Sequence, residues 1–246
     1  MDYTLYFSPD SANIVVRMIL EELGLTYEEK VVPAKRCDRD AQFLELNPRG
    51  LLPVLIDKTH DAVLFETGAI CLYLADLHKK LAPALAPALH DSKARANCLK
   101  WLFLLSNTLH ADLAIRFYPE RYVRHESDIP NLLHATARRV HGHLELFEEF
   151  VRTHKGEWLL GTDLSVCDFY LAACIRWAQM YPVGNVALTA NDLKKYPSLL
   201  KLLAQLQGRA SVKQSFEKEG IQGNAFISPD NNIPARTRDV VGSTRP

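Results

Sequence analysis

Two polar residues, Ser11 and Asn13, stand in a short turn between an apolar run, Tyr3-Thr4-Leu5-Tyr6-Phe7, and a stretch where Ile14, Val15, Met18, Ile19 and Leu23 recur at helical spacing until Gly24. A strand feeding a helix through such a turn leaves N–H groups unpaired at the helix start. With the positive end of the helix dipole they form an anion site. Ser11 offers that anion a hydroxyl and Asn13 an amide, while both residue types also serve as helix caps. Asparagine is among the best caps, so the expectation is that Asn13 caps the helix and Ser11 donates, with Asn13 as the rival donor. A second helix start stands at Glu66-Thr67. There the threonine hydroxyl and neighbouring N–H groups suit a carboxylate, and the glutamate suits an ammonium; both also fit an ordinary helix start. Leu52 precedes Pro53, which removes one ladder donor and holds Leu52 extended.

Other reactive groups read as structural. Ser165-Val166-Cys167-Asp168 forms a capping box that starts a buried helix. The five cysteines, Cys37, Cys71, Cys98, Cys167 and Cys174, are odd in number and scattered, with no C-x-x-C pair. That pattern predicts reduced thiols rather than a disulfide framework or zinc site. His110, His134, His141 and His143 make no metal-ligand set, since His141 and His143 point to different helix faces.

The elements that must position these residues follow a β-α-β-α-β-β-α order. Strands are predicted at 3–7, 27–32, up to Ile56, and 62–65, with a short helix within Arg39–Leu46 and another opening at Glu66. Beyond the two Ala-Pro steps of 81–89, which read as a semi-rigid linker, strand signals fade. Helical periodicity marks Ser92–Tyr118, Asn131–Thr153, Ser165–Tyr181, Pro197–Gln207 and Ser211–Glu219. Trp101 to Leu105 is apolar nearly all round, which predicts cover on both sides. Residues 221–246 have no periodicity and read as a tail, in which Phe226 and Ile227 predict that Asn224–Pro234 folds back on the helical domain. The expected domains are 1–80, about 90–222, and the tail 223–246.

The chain has 246 residues, 48% apolar and 24% charged, the balance of a soluble globular protein with a core. With 29 basic and 29 acidic residues it carries no field for nucleic acid or anionic membrane. No apolar run reaches a membrane span, and no signal peptide is visible, so a cytoplasmic location is expected.

Four motifs in order resemble the cytosolic glutathione transferase family. The P-D-S-A turn at 9–12 is similar to that family's thiolate-activating turn in its serine-type branches. N-P-R-G-L-L-P-V-L at 47–55 resembles its N-P-x-G-x-V-P-x-L signature, and Glu66-Thr67 with A-I-x-x-Y-L its E-S-x-A-I-x-x-Y-L signature. G-T-D-L-S-V-C-D at 161–168 resembles its G-x-x-x-S-x-A-D helix start. The resemblance implies an N-terminal thioredoxin-like α/β domain, a C-terminal all-helical domain, and a homodimer. It implies a cis Leu52-Pro53 bond that turns the Leu52 backbone outward, free to pair with an extended peptide. Glutathione is the implied co-substrate, its cysteinyl backbone on Leu52, its γ-glutamyl end on Glu66 and Thr67, and its glycyl carboxylate on Lys35 or Arg39. A hydrophobic electrophile is expected between the domains, near Phe117, Tyr118, Trp177 and Tyr181. Glutathione-dependent disulfide or peroxide reduction, and a non-catalytic binding role, are the alternatives the same resemblance leaves open.

Overall fold

The computed structural model describes residues 1–32, 37, 40–80, 82, 85–154 and 156–230. Lys35 and Arg39 lie outside the described residues. The chain divides into two compact units, one holding Met1–Pro83 and Ala210–Gln222, the other Ala84–Arg209 and Gly223–Asn231.

The first unit contains β1 Tyr3–Phe7, α1 Asn13–Glu22, β2 Tyr27–Val31, α2 Ala41–Leu46, β3 Val54–Asp57, β4 Ala62–Phe65 and α3 Thr67–Leu77. Its sheet runs β2-β1-β3-β4. β1 is parallel to β2 and antiparallel to β3, which is antiparallel to β4. This mixed sheet with its crossover helix is thioredoxin-like. Ile14, Val15, Met18 and Ile19 of α1 are fully buried, as their helical spacing predicts, and so is Val16. The register has a functional consequence. Tyr6 pairs with Val54 and Val54 with Phe65, while Phe7 pairs with Val31. The turn after β1, the proline loop before β3 and the start of α3 therefore all leave the sheet at one end.

The second unit is helical: α4 Ser92–Leu104, α5 His110–Phe117, α6 Ile129–Thr153, α7 Val166–Met180, α8 Ala190–Leu193 and α9 Pro197–Gln207. A π-helical turn, Leu105–Leu109, joins α4 to α5. Every residue of α7 is buried, so it is the axis of this unit. The expectation of all-round cover at 101–105 is corrected at one position. Trp101, Leu102 and Leu105 are buried, but Phe103 is 58% exposed, so one side of α4 is left without cover. Beyond α9, Ala225 and Phe226 are buried. Arg176 Nη1 donates to the Ala225 carbonyl at 2.8 Å, and Gln179 Nε2 to the Phe226 carbonyl at 2.7 Å. The Phe226 N–H donates to Gln207 Oε1 at 3.0 Å. The described residues from Ala225 thus fold back on the helical unit.

The last helix, α10 Ala210–Lys218, packs on α1 in the first unit. Its buried stripe is Ser211, Val212, Ser215 and Phe216. Ser211 Oγ donates to Glu22 Oε2 at 2.6 Å, and Lys218 pairs with Glu21 at 2.5 Å. The helical periodicity of 211–219 does not by itself say which core the helix covers. Among the described residues no helix is long and apolar enough to cross a membrane.

Candidate functional site

The turn from Ser8 to Asn13 is built on Asp10, whose φ of +55° lies in the left-handed region that Asp enters more readily than most residues. Asn13 is the first residue of α1. The cap position belongs to Ala12, and no side chain caps it. The expected capping role of Asn13 is corrected accordingly, because its side chain is turned back into the protein. Asn13 is 0% exposed. Its Oδ1 accepts from the Ser8 N–H at 3.1 Å and from the Ser11 hydroxyl in a short hydrogen bond. Its Nδ2 donates to Glu219 Oε1 at 2.7 Å. Ser11 is half-buried, whereas Ser8, Asn13 and Glu219 are buried.

The loop before β3 begins with Asn47, whose Nδ2 donates to the Leu51 carbonyl at 2.7 Å and whose Oδ1 accepts from the Arg49 N–H at 3.1 Å. Gly50 has φ +62°, the reason glycine stands there. The Leu52-Pro53 bond is cis, as the resemblance implied. At the start of α3, Glu66 holds the cap position with φ +74° and makes no capping bond. Its side chain is 58% exposed and pairs with Arg49 Nη1 at 3.0 Å. Thr67 is the first helical residue and is buried. With no side-chain cap, the first N–H groups of this helix are left for water or a ligand.

In the second unit the four predicted aromatics come together. Phe117 lies 5.6 Å from Tyr181, 6.3 Å from Trp177 and 6.5 Å from Tyr118, ring centre to ring centre. Trp177 and Tyr181 are buried, whereas Phe117 and Tyr118 are half-buried. The His110 ring lies tilted against Trp177, 4.9 Å between ring centres, and meets the Tyr170 hydroxyl at 2.7 Å. Burial pushes it down to about 4, so it is a neutral packing group. His143 binds Asp112, and His141 the Tyr196 hydroxyl, each at 2.7 Å. All five cysteines are buried, and none forms a disulfide among the described residues. The capping box at Ser165 is present. Asp168 accepts from the N–H of Ser165 at 2.8 Å, the Ser165 hydroxyl at 2.7 Å and the Leu159 N–H at 2.6 Å.

Sequence reasoning missed Glu219, Arg17 and Arg49. Glu219 is buried, and its carboxylate accepts from the Asp10 N–H at 2.7 Å, from Asn13 and from Arg17 Nε at 3.0 Å. Arg17 is fully buried over the Phe7 ring, with Glu29 and the Tyr27 hydroxyl on its far side. One signal was available: an arginine inside the apolar face of α1 must find a buried acid. Nothing local named Glu219 as that acid, 202 residues away.

The sheet and bundle define a thioredoxin-like unit joined to an all-helical one. The family model described as glutathione S-transferase, N-terminal domain, matches residues 14–77, and that for the C-terminal domain matches 129–219. Glutathione S-transferase GstB of Escherichia coli K12 is 30% identical over 215 residues, covering 86% of this chain and 96% of its own. Disulfide-bond oxidoreductase YfcG of the same organism is 26% identical, covering 87% and 94%. The crystal structure of a Sulfitobacter glutathione transferase homologue with bound glutathione superposes with a TM-score of 0.75 at 27% identity, covering 89% and 99%. The chain belongs to the glutathione S-transferase family.

Proposed function

We propose that this protein is a glutathione-dependent transferase that attaches the thiolate of glutathione to a hydrophobic electrophile. The observation that carries the reading is the strand register. It brings the Ser11 turn, the cis-proline loop and the open start of α3 to one end of one sheet. A glutathione laid along that end has its cysteinyl backbone against Leu52 and Pro53, its γ-glutamyl group at Glu66 and Thr67, and its thiol at Ser11. Lys35 or Arg39 meets the glycyl carboxylate. Phe117 and Tyr118, backed by Trp177 and Tyr181, face the electrophile, and the working form is a homodimer acting in detoxification.

Energetics allow a single hydroxyl to activate the thiol. A free thiol titrates near ~8.5, and lowering that by about two units takes ~2.7 kcal/mol of preference for the anion. One hydrogen bond to a charged acceptor supplies ~1.5–3 kcal/mol and a helix start about 0.3–1. Ser11 is the donor in this reading, because it is half-buried where Asn13 is fully buried. The test is the pH dependence of thiolate absorbance for bound glutathione. Ser11→Ala should raise the thiol pKa; a rise in Asn13→Ala alone would move the role to Asn13. No glutathione binding by folded wild-type protein would leave only the non-catalytic role.

The similarity to YfcG favours a second reading, glutathione-dependent disulfide reduction. A model disulfide turned over faster than an aryl halide would select it.

A further inference from the structure

We propose that Glu219 is a positioning residue for the thiol-activating turn: by fixing which end of the Asn13 amide faces it, the carboxylate decides where the Ser11 hydroxyl proton points. The inference rests on the reading of Ser11 as the thiol's donor. An ionised carboxylate accepts hydrogen bonds and donates none. Asn13 therefore presents Nδ2 to Glu219 Oε1, at 2.7 Å, and must present Oδ1 to the turn. Oδ1 receives the Ser8 N–H at 3.1 Å and the proton of Ser11. A serine hydroxyl has one proton. In the free protein that proton faces Asn13. A thiolate arriving at Ser11 competes with Asn13 for it.

Glu219 itself is held in place from the turn and from α1. The Asp10 N–H of the turn donates to Oε2 at 2.7 Å, and from α1 come Asn13 and, at 3.0 Å, Arg17 Nε. The Asp10 carboxylate adds like charge. From β2, Glu29 and the Tyr27 hydroxyl engage Arg17, and Tyr27 in turn donates to Glu21, the partner of Lys218. Burial raises the Glu219 carboxyl to about 7, so its ionisation changes across the pH range in which a glutathione thiol is activated.

Two substitutions separate position from charge. Glu219→Gln keeps an acceptor at Oε1 without the charge, and Glu219→Leu keeps neither. With the acceptor gone, Asn13 releases the Ser11 proton. The pKa of bound glutathione in Glu219→Leu should then fall by about half a unit, roughly a threefold gain in thiolate fraction at limiting pH. Glu219→Gln should stay near wild type, and Glu219→Leu should have no effect in a Ser11→Ala background. Equal shifts in both variants would mean a bare charge effect. No shift in folded Glu219→Leu would mean a purely structural acid, and either result overturns the proposal. Because Glu219→Leu strands Arg17, nuclear magnetic resonance of ligand-free wild-type protein supplies the second test. The Asn13 side-chain amide protons should titrate with Glu219 near neutral pH, and amide protons indifferent to that titration would overturn the proposal. That measurement needs no glutathione, so failure to bind glutathione would sink the proposed function without deciding this one.

Discussion

Two helix starts that look alike in the sequence are built in opposite ways. At α7, Ser165 and Asp168 close the start on themselves: the Asp168 carboxylate takes three donors, and both residues are buried. At α3, no side chain caps the helix, and Glu66 turns outward with a positive φ of 74°. A missing cap costs about 1 kcal/mol of stability, and a residue held at an unfavourable φ costs on the order of 1–3. A helix start that spends its side chains on itself gains stability and has nothing to offer a ligand. One left open costs stability and keeps its donors. The start of α1 combines the two, since Asn13 is fully committed to the interior while Ser11 remains half-buried.

The largest effect that would break this contrast is at the closed end. Asp168→Ala strands three donors in the core and should cost about 3 kcal/mol in denaturant unfolding. Glutathione affinity, measured well below the transition, should not change; a matching loss of affinity would mean that the closed start serves the ligand after all. Protonation sharpens the point. Burial raises the Asp168 carboxyl to about 6, against an unfolded value near ~3.9. The folded protein thus holds a proton that the unfolded chain releases. This group's stabilising share is greatest below about pH 4 and is lost as pH rises toward about 6. The cost of Asp168→Asn should therefore shrink between pH 4 and pH 7, and a constant cost would show that the carboxyl is not raised.

At the open end the expectation inverts. Glu66→Ala removes a charge-assisted contact and should weaken glutathione binding by about 2 kcal/mol. Thermal unfolding should stay nearly constant, because the carboxylate is 58% exposed. Unchanged affinity in a calorimetric titration would remove Glu66 from the γ-glutamyl site. Ser165→Ala is smaller again, roughly 1 kcal/mol of stability with affinity intact. A variant with wild-type unfolding and impaired turnover would reverse the assignment.

Where a local pattern has a local cause, the sequence was legible. Apolar spacing in α1, the N-P-x-G turn with Gly50 at positive φ, and the Ser165 box each depend on residues within one element. Partners distant along the chain were not. Glu219 reaches Asn13 across 206 positions, and α10 reads only as an amphipathic helix until α1 is seen beneath it. The capping role expected of Asn13 failed for the same reason: a buried acid outbids the local cap for its amide. Phe226 was legible as the apolar residue that folds back, but its hydrogen-bond partners, Gln179 and Gln207 from two separate helices, were not.

The smallest expected effect concerns Arg49, which the open start of α3 holds in place of a ligand. Its Nη1 meets Glu66 Oε1 at 3.0 Å, with the two side chains 62% and 58% exposed. So exposed a pair contributes about 0–1 kcal/mol and is screened by salt. Arg49→Ala should leave stability within about 0.5 kcal/mol. Its effect on binding has the opposite sign to that of Glu66→Ala. Each cation that Glu66 accepts excludes the other, so an ammonium arriving there must displace the guanidinium. Removing Arg49 should tighten glutathione binding by a few tenths of a kcal/mol at low ionic strength. The difference from wild type should shrink at high salt, where the competing pair is already screened. Weaker binding in Arg49→Ala would mean that the guanidinium contacts glutathione itself, and that the Arg49–Glu66 pair is part of the binding surface rather than its competitor.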